Sequence, residues 1–264
     1  MNFSLKIGIV LLLFIIIFSF IIPIFYNVNP MKLDLSNDLA PPSLKHPLGT
    51  DDYGRDILKR LMIGGQISLE ISFIVIFFSS SIGLILGIIA GYYGGIIDEI
   101  IMRIVDILLS FPGILLALTL ISFFGNSILN LILALSLMGW VVYARLSRGI
   151  TLKTKQEDYI LSTRALGAGD IYIMFKHILP SVIPIIIVQA SLGVSSVIIA
   201  ETGLSFLGLG VPISYPSWGN MINAGRNYIL INTNLILFPS ILLIITVIGF
   251  NYLGEGLRKF FSGH

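Results

Sequence analysis

Six stretches of the chain are almost wholly apolar: residues 7–25, 67–90, 100–124, 128–144, 180–200 and 235–253. Each comes close to the roughly 20 residues that carry a helix across a hydrocarbon core about 30 Å thick. None alternates polar and apolar positions as a barrel strand does, and a backbone in lipid must satisfy its own hydrogen bonds. The pattern predicts six transmembrane helices and an all-α, polytopic membrane protein. The first run exceeds the roughly 7–15-residue core of a signal peptide, and no small-residue cleavage site follows it, so an uncleaved helix is expected. Residues 27–66 turn polar and hold Pro30, Pro41, Pro42 and Pro47, which predicts an aqueous segment. The expected division is 1–66, the first helix with its extracytoplasmic segment, and 67–264, a five-helix core with an internal loop at about 150–180.

Composition supports the pattern. With 56% hydrophobic and 11% charged residues and a mean hydropathy of +0.97, the chain lacks the polar surface to coat a soluble globule. Six spans leave no room for a separate soluble catalytic domain. Cysteine is absent, which excludes disulfides and thiolate metal sites. Ser79, Gly83, Gly87, Gly91 and Gly95 recur every fourth residue, a stripe of small side chains that lets another helix approach closely.

Charge sets the expected orientation. With the N-terminus inside, the inner side holds Lys6, Arg103, Arg145, Arg148, Lys153, Lys155, Arg164, Lys176, Arg258 and Lys259. The outer side then holds Lys32, Lys45, Arg55, Lys59, Arg60 and Arg226, ten basic residues against six. Both termini and the loop 153–176 are expected in the cytoplasm.

Catalytic chemistry has few candidates. The chain has no Gly-Lys dipeptide and so no Walker A loop, no His-Glu-x-x-His and no Gly-x-Ser-x-Gly. Gly167-Ala168-Gly169-Asp170 is similar to the Gly-x-Gly-Asp signature of intramembrane aspartyl proteases, with Asp106 as the second carboxylate. The competing reading has Asp170 capping a helix that begins at Ile171. Among polar groups within spans, Asp106 is expected to pair with Arg103 one turn away, near the inner interface. Glu201 and Glu70 are expected near the external face, where either would line an outer mouth. Trp140 and Trp218 read as packing or anchoring residues.

The internal loop carries the most information. Residues 157–166 form a short helix with Glu157 and Asp158 at its N-terminus, and Gly167 ends it in the left-handed conformation. The loop resembles the Glu-Ala-Ala loop of ABC importer permeases. Leu161-Ser162-Thr163 stand at the tripeptide, Gly167 at the glycine, and His177-Ile178-Leu179-Pro180 at the terminal element. Glycine, leucine and proline fall in register, whereas Leu161, Ser162, Thr163 and His177 depart from the general pattern. Four more segments resemble the dipeptide, oligopeptide and nickel branch in the same order. They are His46-Pro47-Leu48-Gly49-Thr50-Asp51-Asp52-Tyr53-Gly54-Arg55-Asp56, Gly91-Tyr92-Tyr93-Gly94-Gly95, Asp106-Ile107-Leu108-Leu109-Ser110-Phe111-Pro112, and Leu204-Ser205-Phe206-Leu207-Gly208-Leu209-Gly210.

The resemblance implies the second permease subunit of a binding-protein-dependent importer of type I fold, in a bacterial or archaeal inner membrane, with its first helix wrapped around the partner. It implies a second homologous permease, two cytoplasmic ATPase subunits that bind the ATP and Mg, and an extracytoplasmic substrate-binding protein. This chain itself would carry no cofactor, catalytic group or metal, and contact no nucleic acid. Glu157, Asp158, Tyr159, Ser162, Thr163, Arg164, Ala165, Leu166 and Gly167 would form the coupling helix that seats on an ATPase. Residues 27–66 and 204–233 would dock the binding protein through Asp51, Asp52, Arg55, Asp56 and Arg226. Small peptides are the expected cargo, with a nickel or metal chelate as the alternative.

Overall fold

The computed structural model describes residues 2–26 and 29–262, and among them there is no β-strand, only an isolated bridge between Thr50 and Asp56. Among the described residues, apart from short 3-10 turns at Leu35–Asn37 and Arg226–Tyr228, nine helices follow one another: α1 Phe3–Phe25, α2 Ile57–Tyr93, α3 Gly95–Leu109, α4 Gly113–Phe124, α5 Ile128–Thr154, α6 Asp158–Ala165, α7 Asp170–Phe206, α8 Trp218–Gly225 and α9 Asn234–Phe261. Single π turns interrupt α1 at Ile17–Ile21 and α7 at Met174–Ile178. Helices α1, α2, α5, α7 and α9 are each long and apolar enough to cross a bilayer.

The expected third span is broken. Helices α3 and α4 meet at 86°, so they make a sixth crossing only as a bent pair. Pro112 has no N–H to continue the ladder and drives Phe111 out of helical geometry, while the Ser110 hydroxyl turns back to the Ile107 carbonyl at 2.7 Å. Helix α3 then lies across α5. Asp98 and Asp106 are about 12 Å apart along α3, yet they reach Arg148 and Arg145 on neighbouring turns of α5.

Helix α2 begins at Ile57, not at residue 67, and its 37 residues extend about 55 Å. Residues 57–66 mix Lys59, Arg60 and Gln66 with buried Ile57, Leu61 and Met62, and the helix starts there because Asp56 caps it, accepting the Lys59 N–H at 2.7 Å. The boundary drawn at residue 66 therefore falls inside a helix. The small-residue stripe packs α2 onto α5 of the same chain: a Cβ on Gly83 would stand 2.4 Å from the Trp140 carbonyl, and one on Gly87 2.4 Å from that of Ala144. Gly95 lies past the end of α2 and takes no part.

Helix α1 packs along α9, where a Cβ on Gly8 would stand 2.5 Å from the Leu253 nitrogen and one on Gly256 2.6 Å from the Leu5 Cβ. Gly8 of the first helix thus packs on α9 of its own chain, while Val10, Leu13, Phe14, Ile17 and Ile21 stay exposed. These contacts bring both chain ends and residues 155–169 to one end of the bundle, the terminal end. Residues 29–56 and 207–233 gather at the opposite, loop end.

Candidate functional site

At the terminal end, α6 is eight residues long, and Ile160 is its buried anchor at 1% exposure. Around that anchor Glu157, Asp158, Tyr159, Leu161, Ser162, Arg164, Ala165 and Leu166 are exposed, and Thr163 is half-buried. The helix ends in a Schellman turn. Gly167 has φ +87°, its N–H donates to the Arg164 carbonyl at 2.9 Å, and the Ala168 N–H donates to that of Thr163 at 3.3 Å. No atom stands within 4 Å of where a Gly167 Cβ would be, so the requirement for glycine there is conformational and not one of space.

Three side chains tie α6 to the bundle. The Tyr92 hydroxyl, at the end of α2, donates to Asp170 Oδ1 at 2.6 Å and accepts from an Arg164 guanidinium nitrogen at 2.9 Å. That guanidinium also lies over the Tyr92 ring, 5.4 Å from its centroid, and these contacts hold Arg164 more firmly protonated than an isolated arginine. Asp170 is thus the first residue of α7 and does not cap it, since its carboxylate is turned to Tyr92. Lys155 closes the end of α2 from the other side, donating to the Gly91 and Tyr92 carbonyls at 2.8 and 3.3 Å.

His177, within the π turn of α7, sits between the rings of Tyr159 and Tyr172, 5.8 Å from each. Its Nε2 is buried with no hydrogen-bond partner among the described residues. An open cleft of about 480 Å³ runs beside α6, lined by Lys153, Thr154, Glu157, Tyr159 and Ser181 among others. Tyr92 and His177 are what residue-by-residue sequence reasoning left without a role. The signal for His177 was its departure from the general pattern.

The loop end treats charge differently. Asp51 is buried and accepts four hydrogen bonds or ion pairs: from the Tyr53 and Arg55 N–H groups at 3.0 and 2.9 Å, from Arg55 Nε at 2.7 Å and from Arg60 Nε at 3.3 Å. Asp56 is also buried, capping α2 and taking the Tyr26 hydroxyl at 3.0 Å and His46 Nδ1 at 2.9 Å. Burial, and then the bond to the Asp56 carboxylate, push the Tyr26 phenol up to about 12. Lys59 reaches across to the Pro23 and Tyr26 carbonyls at 2.7 and 2.6 Å, fastening the end of α1 to the start of α2. Gly54, at φ +67°, is where this loop needs glycine, because a Cβ there would overlap the Asp34 carbonyl.

The idea that Asp51, Arg55 and Asp56 stand exposed for docking is therefore corrected: all three are at most 8% exposed and are held within the loop itself. Asp52 is half-buried, 3.8 Å from Arg55, and Arg226 is exposed, over the Phe206 ring. Burial, then the Asp51 charge, push the Asp52 carboxyl above its ordinary value against the opposing pull of Arg55.

Two intramembrane expectations also change. Asp106 pairs with Arg145 at 2.5 Å across helices, while Arg103 reaches Glu99 at 3.7 Å on its own helix. Since Asp106 is held by Arg145 and Asp170 by Tyr92, the two do not share a proton as a protease dyad would. Glu201 is fully buried, not at a hydrated mouth. It accepts from Ser205 at 2.7 Å, Ser68 at 2.9 Å and Thr202 at 3.4 Å, hydroxyls that replace water. The Ser205 oxygen in turn accepts the Val211 N–H at 3.0 Å, so this carboxyl orders the strap that follows α7. Trp140 and Trp218 pack as expected, with the wholly buried Trp218 indole donating to the Leu61 carbonyl at 3.0 Å.

A family model described as binding-protein-dependent transport system inner membrane component matches residues 83–263. The dipeptide transport system permease protein DppC of Alkalihalophilus pseudofirmus is 37% identical over 96% of this chain and 83% of that protein. The glutathione transport system permease protein GsiD of Pectobacterium atrosepticum is 44% identical over 82% of this chain and 72% of its own length. Among solved structures, the inward-facing MetNI methionine ABC transporter superposes with a TM-score of 0.62 at 24% identity, covering 75% of this chain and 95% of that one, a likeness of fold.

Proposed function

This chain belongs to the family of binding-protein-dependent transport system inner membrane components, and from that premise we propose that it is one half of the membrane pathway of a small-peptide importer. The terminal end faces the cytoplasm, where α6 seats in a groove of an ATPase subunit; ATP and Mg are bound there and not on this chain. A second, homologous permease completes the pathway, and a substrate-binding protein delivers cargo at the loop end. The cargo assignment is supported by the dipeptide and glutathione permeases to which the chain is similar. No observation favours a nickel chelate.

The observation that carries the coupling role is the design of α6. One side chain, Ile160, anchors it, eight neighbours face outward, and the Tyr92, Arg164 and Asp170 bridge ties it to α2 and α7. A push on α6 is therefore delivered to two spanning helices at once. Docking at the loop end falls to the groups that remain accessible, Arg226 and Asp52, on a platform fixed by Asp51, Arg55 and Asp56. Such exposed charges steer encounter more than they add affinity.

The test is reconstitution in liposomes of this chain with its partner permease, both ATPases and the binding protein. Peptide uptake that requires ATP and the binding protein is the expected result. ATP hydrolysis stimulated by the loaded binding protein without peptide uptake would refute the cargo assignment. A single cysteine at Ser162, in a chain with none of its own, should be labelled by an impermeant reagent only from the cytoplasmic side.

A further inference from the structure

Two carboxylates lie near the mid-depth of the bundle, and the structure treats them in opposite ways. Depth follows from α1, whose loop end is marked by the Lys59 contacts to Pro23 and Tyr26. Six residues deeper along α2, Gly65 faces Ser19 of α1 so closely that a Cβ would stand 2.3 Å from its oxygen. Glu70 lies five residues deeper again, roughly 16 Å below Lys59, close to the middle of a hydrocarbon core about 30 Å thick. Glu201 is bonded to Ser68 at nearly the same level and is sealed among hydroxyls. Glu70 is exposed, and among the described residues it has no hydrogen bond or ion pair.

A carboxylate left bare in hydrocarbon at that depth is costly, so its face of α2 fronts water or a cation and not lipid tails. The neighbouring residues agree. Gln66, Glu70, Phe77 and Ser81 follow at spacings of four, seven and four, which places them on one helical face about 22 Å long. Each is exposed or half-exposed, whereas the adjoining strip of Ile74, Phe78, Ile82 and Ile85 is wholly apolar, as a lipid-facing strip should be. Phe73 borders the polar strip and meets Phe250 of α9 edge-on at 5.9 Å. Where this chain uses a carboxylate to join its own helices, as with Asp98 and Arg148, both partners are spoken for. Glu70 is not.

We propose that Glu70 lines the translocation pathway and is the site that receives the cationic ammonium group of the cargo. A carboxylate attracts the ammonium, the Gln66 amide oxygen one turn away can accept from it, and the exposed faces of Phe73 and Phe77 suit both a cation and apolar peptide side chains. This rests on the peptide-importer reading, since a peptide with a free N-terminus always presents that group.

The experiment uses the complete reconstituted importer with a dipeptide of unblocked N-terminus as probe, comparing wild type, Glu70→Gln and Glu70→Asp. The expected result is uptake lowered at least tenfold in Glu70→Gln and within threefold of wild type in Glu70→Asp, with the two permeases and the ATPases still purifying together in wild-type proportion. Unchanged uptake in Glu70→Gln overturns the proposal. So does loss of the second permease from the Glu70→Gln complex, which would mean that the carboxylate pairs with a cation of that subunit. A wild-type complex that moves no peptide would instead bring down the importer reading itself, an outcome distinct from the first two.

Discussion

The two ends of the molecule hold comparable sets of charged residues and use them in opposite ways. At the loop end, Asp51, Arg55, Asp56, Lys59 and Arg60 are all at most 8% exposed, and each is satisfied by another group of the same loop or by the end of α1. At the terminal end, Arg164 and Asp170 are each about half exposed, at 52% and 53% of their side chains, and they share a tyrosine hydroxyl. Buried ion pairs hold a shape, because removing one partner strands the other in a medium that cannot solvate it. Half-exposed ones hold a position weakly enough for it to change. The difference matches a rigid platform on one side and a movable contact on the other.

The largest effect that would break this contrast is at Asp51. Asparagine there keeps the shape but removes the charge that neutralises Arg55 and Arg60, at a cost of about 3 kcal/mol or more. The expected outcome is a marked fall in the unfolding midpoint of the purified protein, with loss of folded yield at growth temperature. A midpoint equal to wild type would mean that the loop does not depend on its buried charges.

Gly167 comes next, at the terminal end. Valine at φ +87° should cost on the order of 1–2 kcal/mol, and since the space is open, asparagine should be tolerated much better. Assembled Gly167→Val importer should show weak stimulation of ATP hydrolysis by loaded binding protein, with Gly167→Asn restoring most of it. Equal behaviour of the two variants would remove the turn from the mechanism.

How much of this was legible beforehand differs between the same two regions. The Gly167 turn could be read because it is local: the φ requirement, the short helix before it and the fresh start after it all lie within a few residues. The five helices long and apolar enough to cross were legible from hydrophobicity alone, whereas the run 100–124 hides a bend that Pro112 alone marks. The burial of Asp51 and Asp56 was not legible, because charge in a polar segment suggests exposure and their partners Arg60 and Tyr26 are distant in sequence or lie in another element. Glu201 was missed for the same reason. Its hydroxyl partner Ser68 is 133 residues away, on a helix facing it.

A smaller effect sharpens the terminal side. Tyr92→Phe removes the hydroxyl between Arg164 and Asp170 and keeps the ring beneath the guanidinium. The loss should be about 1 kcal/mol or less, too little to unfold the protein. What should change is transmission: the importer would retain its unfolding midpoint while transporting less peptide per ATP hydrolysed. A shifted midpoint with unchanged transport per ATP would make the bridge a stability element, like the charges at the loop end.

The smallest expected effect tests the exception within the platform. Asp52 is half-buried beside Asp51, and its carboxyl is raised above the ordinary value, first by burial and then by that neighbouring charge. A carboxyl whose folded value exceeds its unfolded one favours folding when protonated and opposes it when ionised. Its contribution is therefore present below the unfolded value and lost as the pH rises through the raised one, leaving a small penalty at neutral pH. Asp52→Asn, which never ionises, should gain slightly in unfolding midpoint near neutrality and nothing near pH 3. Tyr228, from the other strap at the loop end, supplies a second readout, because the Asp52 charge raises its phenol above the ordinary value. Spectroscopic titration should find that phenol ionising at lower pH in Asp52→Asn, whereas an unmoved Tyr228 would show that the two straps do not share this charge.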